Sequence, residues 1–141
     1  MATTRTASAH WEGSLMEGAG QVTLESSGIG TYDVTWPART EEPNGRTSPE
    51  ELIAAAHSTC FSMALSHALA QAGSPPTTLD TTAEVTFQPG TGITGVALKV
   101  VGSVPGLSAD QFQEAAEGAK KGCPVSQALS VPISLEARLA E

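Results

Sequence analysis

The sequence predicts an α+β protein with mostly antiparallel sheet, organised as a single domain over residues 1–141. Short alternating segments broken by glycine fill the first 35 positions, a long charge-free segment at 52–72 follows a helix-start signature, and further alternating segments flank a second helix pattern. No internal repeat or low-complexity linker interrupts them.

Ala7, Ala9 and Trp11 alternate with Ser8, His10 and Glu12, and Val22 and Leu24 alternate with Thr23 and Glu25, so two strands are expected there. Glycines at 13, 18, 20, 28 and 30 favour hairpins between them. A third strand is expected from Tyr32 to Trp36, ended by Pro37, with an exposed loop at 38–48. Loops of that kind carry functional side chains over a rigid scaffold.

Ser48-Pro49-Glu50-Glu51 reads as a helix start, with Ser48 as cap, Pro49 in the first turn and Glu51 closing a capping box. The helix expected from 49 to 72 would span roughly 36 Å. Its apolar character nearly all round predicts burial at the centre of the fold, shared with a second subunit. Gly73 and Pro75-Pro76 end it.

Ala83, Val85 and Phe87 alternate with polar residues, and a return strand over 93–101 follows the Pro89-Gly90-Thr91-Gly92 turn. Ser108 with Gln111 predicts a second capping box, opening a helix that stops at Gly122. Cys123 then sits at the N-cap of a short helix with Pro124 at N1. Ile133, Leu135, Ala137 and Leu139 alternate with polar residues as a half-buried final strand.

A chain of 141 residues can bury a core without disulfide staples, so its two cysteines need another reason. Residues 1–7 lack the apolar core of a secretory signal, and no apolar run reads as a membrane span. A cytoplasmic, reducing compartment is therefore expected, where a disulfide is more often transient than structural. The formal charge of −8 works against nucleic acid and anionic membrane as partners.

Cys123 at a helix N-terminus is favoured as thiolate, and the same position suits a buried cysteine acting as a small cap. Cys60, in His57-Ser58-Thr59-Cys60-Phe61, lies in apolar surroundings that raise a thiol pKa, so alone it reads as a core cysteine. Reactivity there needs a cation, and Arg39 and Arg46 are the candidates in this half of the chain. Glu50 is a natural first-turn acid. On one straight helix it lies about 15 Å from Cys60, too far for a direct bond. His57 and Cys60 could offer a metal two ligands, short of a site, and no Cys-x-x-Cys or nucleophile elbow is present.

The segments Ser-Pro-Glu-Glu-Leu-Ile-Ala-Ala-Ala-His-Ser-Thr-Cys-Phe-Ser-Met-Ala-Leu at 48–65 and Gly-Cys-Pro-Val-Ser-Gln at 122–127 resemble the two cysteine motifs of the osmotically inducible protein C (OsmC) family. The opening Ala9-His10-Trp11-Glu12-Gly13 and Leu79-Asp80-Thr81-Thr82-Ala83 extend the likeness over nearly the whole chain. Val125 after Cys123-Pro124 resembles the OsmC branch rather than the organic hydroperoxide resistance branch, which usually carries an aromatic residue there.

The resemblance implies an OsmC-like fold, an intertwined homodimer with antiparallel sheets around long central helices. It also implies a thiol peroxidase, cofactor-free and metal-free, acting on organic hydroperoxides better than on hydrogen peroxide. In that scheme Arg39, held by Glu50, stabilises the Cys60 thiolate, which attacks the peroxide and becomes a sulfenic acid. Cys123 closes a disulfide that a dithiol reductant, of lipoyl type by resemblance, must open. An apolar pocket around Phe61 and Met63 is expected to take the peroxide's carbon tail. The rival reading is a non-catalytic stress or ligand-binding dimer that keeps this fold with incidental thiols.

Overall fold

A computed structural model describes residues 1–140 as a mixed α+β chain with two three-stranded sheets. Residues 1–52 and those from 53 onward form two compact units.

In the first unit, β1 (Ser8–Glu12), β2 (Ala19–Thr23) and β3 (Thr31–Val34) form an antiparallel sheet in sequence order. His10 pairs with Gln21 and Val22 with Tyr32. β3 stops at Val34 because Thr35 caps a helical turn, its hydroxyl accepting from the Ala38 N–H at 3.1 Å. α1 (Trp36–Thr40) then occupies positions expected to be strand end and loop, and it carries Arg39 in its last turn. Pro37 suits that first turn, because its missing N–H would be unpaired there anyway.

The loop beyond α1 reverses through Asn44 and Gly45, both at positive φ. It returns to the sheet at Thr47, whose N–H donates to the Asp33 carbonyl. α2 (Pro49–Gln71) starts where Ser48 accepts from the Glu51 N–H. The expected capping box is only half closed, because the Glu51 carboxylate takes the Thr47 hydroxyl at 2.6 Å.

In the second unit, β4 (Thr78–Gln88) and β5 (Gly92–Ser103) form a long antiparallel hairpin, and β6 (Ile133–Leu139) adds to β5 in parallel. A parallel neighbour needs a crossover. Here the crossover consists of α3 (Ala109–Gly122) and α4 (Pro124–Ala128). Ser108 and Gln111 close the full capping box that opens α3.

Phe61, Leu65 and Leu69 of α2 share the core with Val96, Leu98 and Val100 of β5 and Phe112, Ala116 and Ala119 of α3. Gly102 lets the Phe112 ring lie on β5, since a Cβ there would come within 2.7 Å of Cζ.

Within the chain α2 is not buried all round. His57, Phe61, Leu65 and Leu69 form its buried stripe, whereas Ala55, Ala56, Thr59 and Met63 are exposed. Its length and composition would suffice to cross a membrane, but a core helix meets the same test. The buried stripe at i, i+4 spacing is what a helix packed on a folded core presents.

Candidate active site

The structure assembles the four expected site residues as two pairs. In the first unit Arg39 meets Glu50 side-on: Nε donates to Oε1 at 3.0 Å and Nη2 to Oε2 at 2.7 Å. Glu50 is buried and Arg39 largely so. The guanidinium also lies 5.8 Å over the Trp36 ring, one helical turn back, so ring and carboxylate fix its plane together. Placing Arg39 on α1 rather than in a loop supplies this rigidity.

In the second unit Cys60 and Cys123 are free thiols, near enough for each to shift the other's ionisation. Cys60 is half-buried on α2, and Cys123 is completely buried between α3 and α4. Cys123 is the N-cap of α4, and its N–H donates to the Ala119 carbonyl at 2.8 Å, closing α3 with the same residue. One residue therefore serves two helix ends, which fixes its backbone.

Their ionisation differs. Burial raises the Cys60 thiol, the Val125 N–H opposes this, and the adjoining Cys123 adds to the rise. For Cys123 burial also acts upward, but the Ser126 N–H, the Cys60 thiol, the Ser126 hydroxyl and the Val125 N–H together bring it below the ordinary value. Of the two thiols, Cys123 is thus the more acidic.

Phe61 does not line a pocket as expected: it is wholly buried in the core, while Met63 points outward at 68% exposure. Met63 instead borders an open groove with Ser62, Thr81 and Lys99 that does not include either cysteine.

Residues 42–137 match the OsmC-like protein family. The chain belongs to the OsmC family. Peroxiredoxin OsmC of Escherichia coli is 46% identical to this OsmC chain over 134 residues, 93% of each. An organic hydroperoxide resistance protein OsmC from Legionella pneumophila shares the fold with a TM-score of 0.73 at 23% identity, covering 100% of this chain and 99% of that one. An organic hydroperoxide resistance protein from Elizabethkingia anophelis, solved with crystallant-derived thiocyanate bound, gives 0.69 at 26% identity with the same coverage.

Two residues of this OsmC chain were not singled out together from sequence. His57 is fully buried and its Nε2 lies 2.7 Å from Ser126 Oγ. Ser126 stands three positions after Cys123, and His57 three before Cys60. That helical spacing was the available signal, but only folding joins the two motifs.

Proposed function

We propose that this protein is a thiol-dependent peroxidase reducing organic hydroperoxides, and hydrogen peroxide more weakly, to alcohols in oxidative and osmotic stress defence. The observation that carries the reading is the pairing of a half-buried thiol with a completely buried one. The greater exposure of Cys60 supports it as attacker and the buried Cys123 as resolver. Membership of the OsmC family and the name of the 46% identical relative, peroxiredoxin, support the same chemistry.

The acidity order of the thiols favours Cys123 as the closing thiolate and leaves Cys60, raised by burial, dependent on a cation to ionise. Arg39, oriented by Glu50, supplies the cation that such a thiolate needs, whichever subunit contributes it. The thiolate attacks one peroxide oxygen, the O–O bond breaks, and the alkoxide leaves as alcohol after taking a proton. Cys60 is left as a sulfenic acid. Condensation with Cys123 forms a disulfide and water, and a dithiol reductant, of lipoyl type in this reading, restores both thiols.

A homodimer completes the proposal. Beyond Glu51 the exposed side of α2, with Met63 at its middle, carries no Asp, Glu, Lys or Arg and suits a second copy better than water. A cytoplasmic setting suits a cycle that needs reduced thiols.

Turnover of cumene hydroperoxide with a dithiol reductant tests the function. Cys60→Ser is expected to abolish it, and unchanged turnover would sink the mechanism.

A further inference from the structure

α4 is a single short turn, Pro124–Ala128, that follows directly on Cys123. So short a helix has no stability of its own, and its side chains fix where it lies. Val125 and the following Leu129 press it on the hydrophobic core, but apolar contacts are non-directional and set no register along a neighbouring helix. Gln127 Nε2 turns back to the Lys121 carbonyl of α3 at 3.4 Å. Ser126 instead reaches α2: its Oγ lies 2.7 Å from His57 Nε2, in a buried bond between residues 69 positions apart.

The direction of that bond follows from the other ring nitrogen. His57 is completely buried, and its Nδ1 meets no hydrogen-bonding group among the described residues. A proton on Nδ1 would bury an N–H without an acceptor, which is rarer and costlier than a buried lone pair. Nε2 therefore carries the proton and donates to Ser126 Oγ. Burial keeps the ring neutral by lowering its proton affinity.

His57 stands one helical turn before Cys60 on α2, and Ser126 one turn after Cys123. Cys60 packs against the core cluster that contains Cys123. The polar bond and the thiol pair are thus two rungs between the same two segments. Sliding either segment by one residue would break the first rung and part the second.

We propose that His57 and Ser126 are positioning residues for disulfide closure: their buried hydrogen bond holds the turn that carries Cys123 in register against α2, opposite Cys60. In that step, which rests on the peroxidase reading, Cys123 gives up its thiol proton and attacks the Cys60 sulfenic sulfur. The S–S bond forms, the S–O bond breaks, and the leaving hydroxide takes a proton and departs as water. Cys123 is oxidised, the sulfenic sulfur is reduced, and no outside reductant enters.

The test first uses a closure reaction that needs no peroxide. Dithiodipyridine added to reduced protein forms a mixed disulfide on half-buried Cys60 and releases one thiopyridone. Attack by Cys123 on that mixed disulfide then closes the Cys60–Cys123 bond and releases a second, so absorbance reads closure as its own phase. His57→Phe and Ser126→Ala are expected to slow the second phase about tenfold and to leave the first unchanged. His57→Gln, whose amide N–H can stand in for Nε2–H, is expected to recover most of the rate. The double variant His57→Phe with Ser126→Ala is expected to be no slower than the slower single one, because both act through one bond. A bond that only stabilised the fold would lower the melting temperature and leave the second phase alone. That result, or slowing that multiplies in the double variant, would overturn the proposal.

A second arm repeats the comparison after one equivalent of cumene hydroperoxide, with Cys60 sulfenic acid trapped by dimedone and the disulfide quantified by mass spectrometry. Sulfenic acid is expected to persist longer in His57→Phe and Ser126→Ala than in unaltered protein, and equal lifetimes would overturn the positioning role. Absence of any Cys60 sulfenic acid in unaltered protein overturns the peroxidase reading instead, and the dithiodipyridine phases then decide the positioning role by themselves.

Discussion

Arg39 Nη2 lies 2.7 Å from Glu50 Oε2, with Nε of the same guanidinium bound to the other carboxylate oxygen. Two short parallel bonds to one buried carboxylate define a direction as well as a charge. Arg39→Ala leaves Glu50 buried without its cation, while Arg39→Ala combined with Glu50→Gln removes the stranded charge. The double variant is therefore expected to be more stable than additivity predicts, by about 1–3 kcal/mol, in a urea-unfolding double-mutant cycle. Arg39→Lys is expected to lose most peroxide turnover, because an ammonium cannot make the side-on pair.

The two thiols give stability opposite dependences on pH. Cys123 has a lowered folded-state value, and Ser126 and Val125, two of its causes, are still present in reduced Cys60→Ser protein. Its contribution is present above the unfolded thiol value and lost as pH falls through the folded one. Cys60, raised by burial, behaves inversely in reduced Cys123→Ser protein. That contribution is complete below the unfolded value and disappears as pH rises toward the folded one. Thermal melts across the thiol range should slope upward with pH for the first protein and downward for the second, and parallel slopes would contradict the assignment.

Gly102→Ala tests the packing that holds the crossover on the sheet. A Cβ there would lie 2.7 Å from Phe112 Cζ and 3.1 Å from Leu79 Cδ2, so the ring must move. The expected cost is about 1–3 kcal/mol in urea midpoint analysis. A neutral result would mean that the ring relaxes freely.

Met63, 68% exposed on the open side of α2, reports on the proposed dimer. Sedimentation of the unaltered protein is expected to give twice the chain mass, and Met63→Glu should shift the population toward one chain without changing the circular dichroism of the helices. A monomeric unaltered protein would remove the dimer from the proposal.

The amino-acid sequence by itself determined the local signals: Ser108 and Gln111 at a helix start, Cys123 before Pro124 at another, and the alternation of β4 and β6. Each depends on neighbours within a few residues, where backbone hydrogen bonding and side-chain period act directly. It also carried both cysteine motifs, enough to recognise the OsmC family. The strand end near Trp36 was misread because Tyr32–Trp36 favours a strand by composition, while one cap from Thr35 and one proline tip those positions into α1. Tertiary structure alone decided which side of α2 is buried, because its charge-free stretch from Leu52 onward has no charged face to break the tie. It alone joined His57 to Ser126 and Cys60 to Cys123, since the distances between residues far apart in sequence are set by how helices and sheet pack.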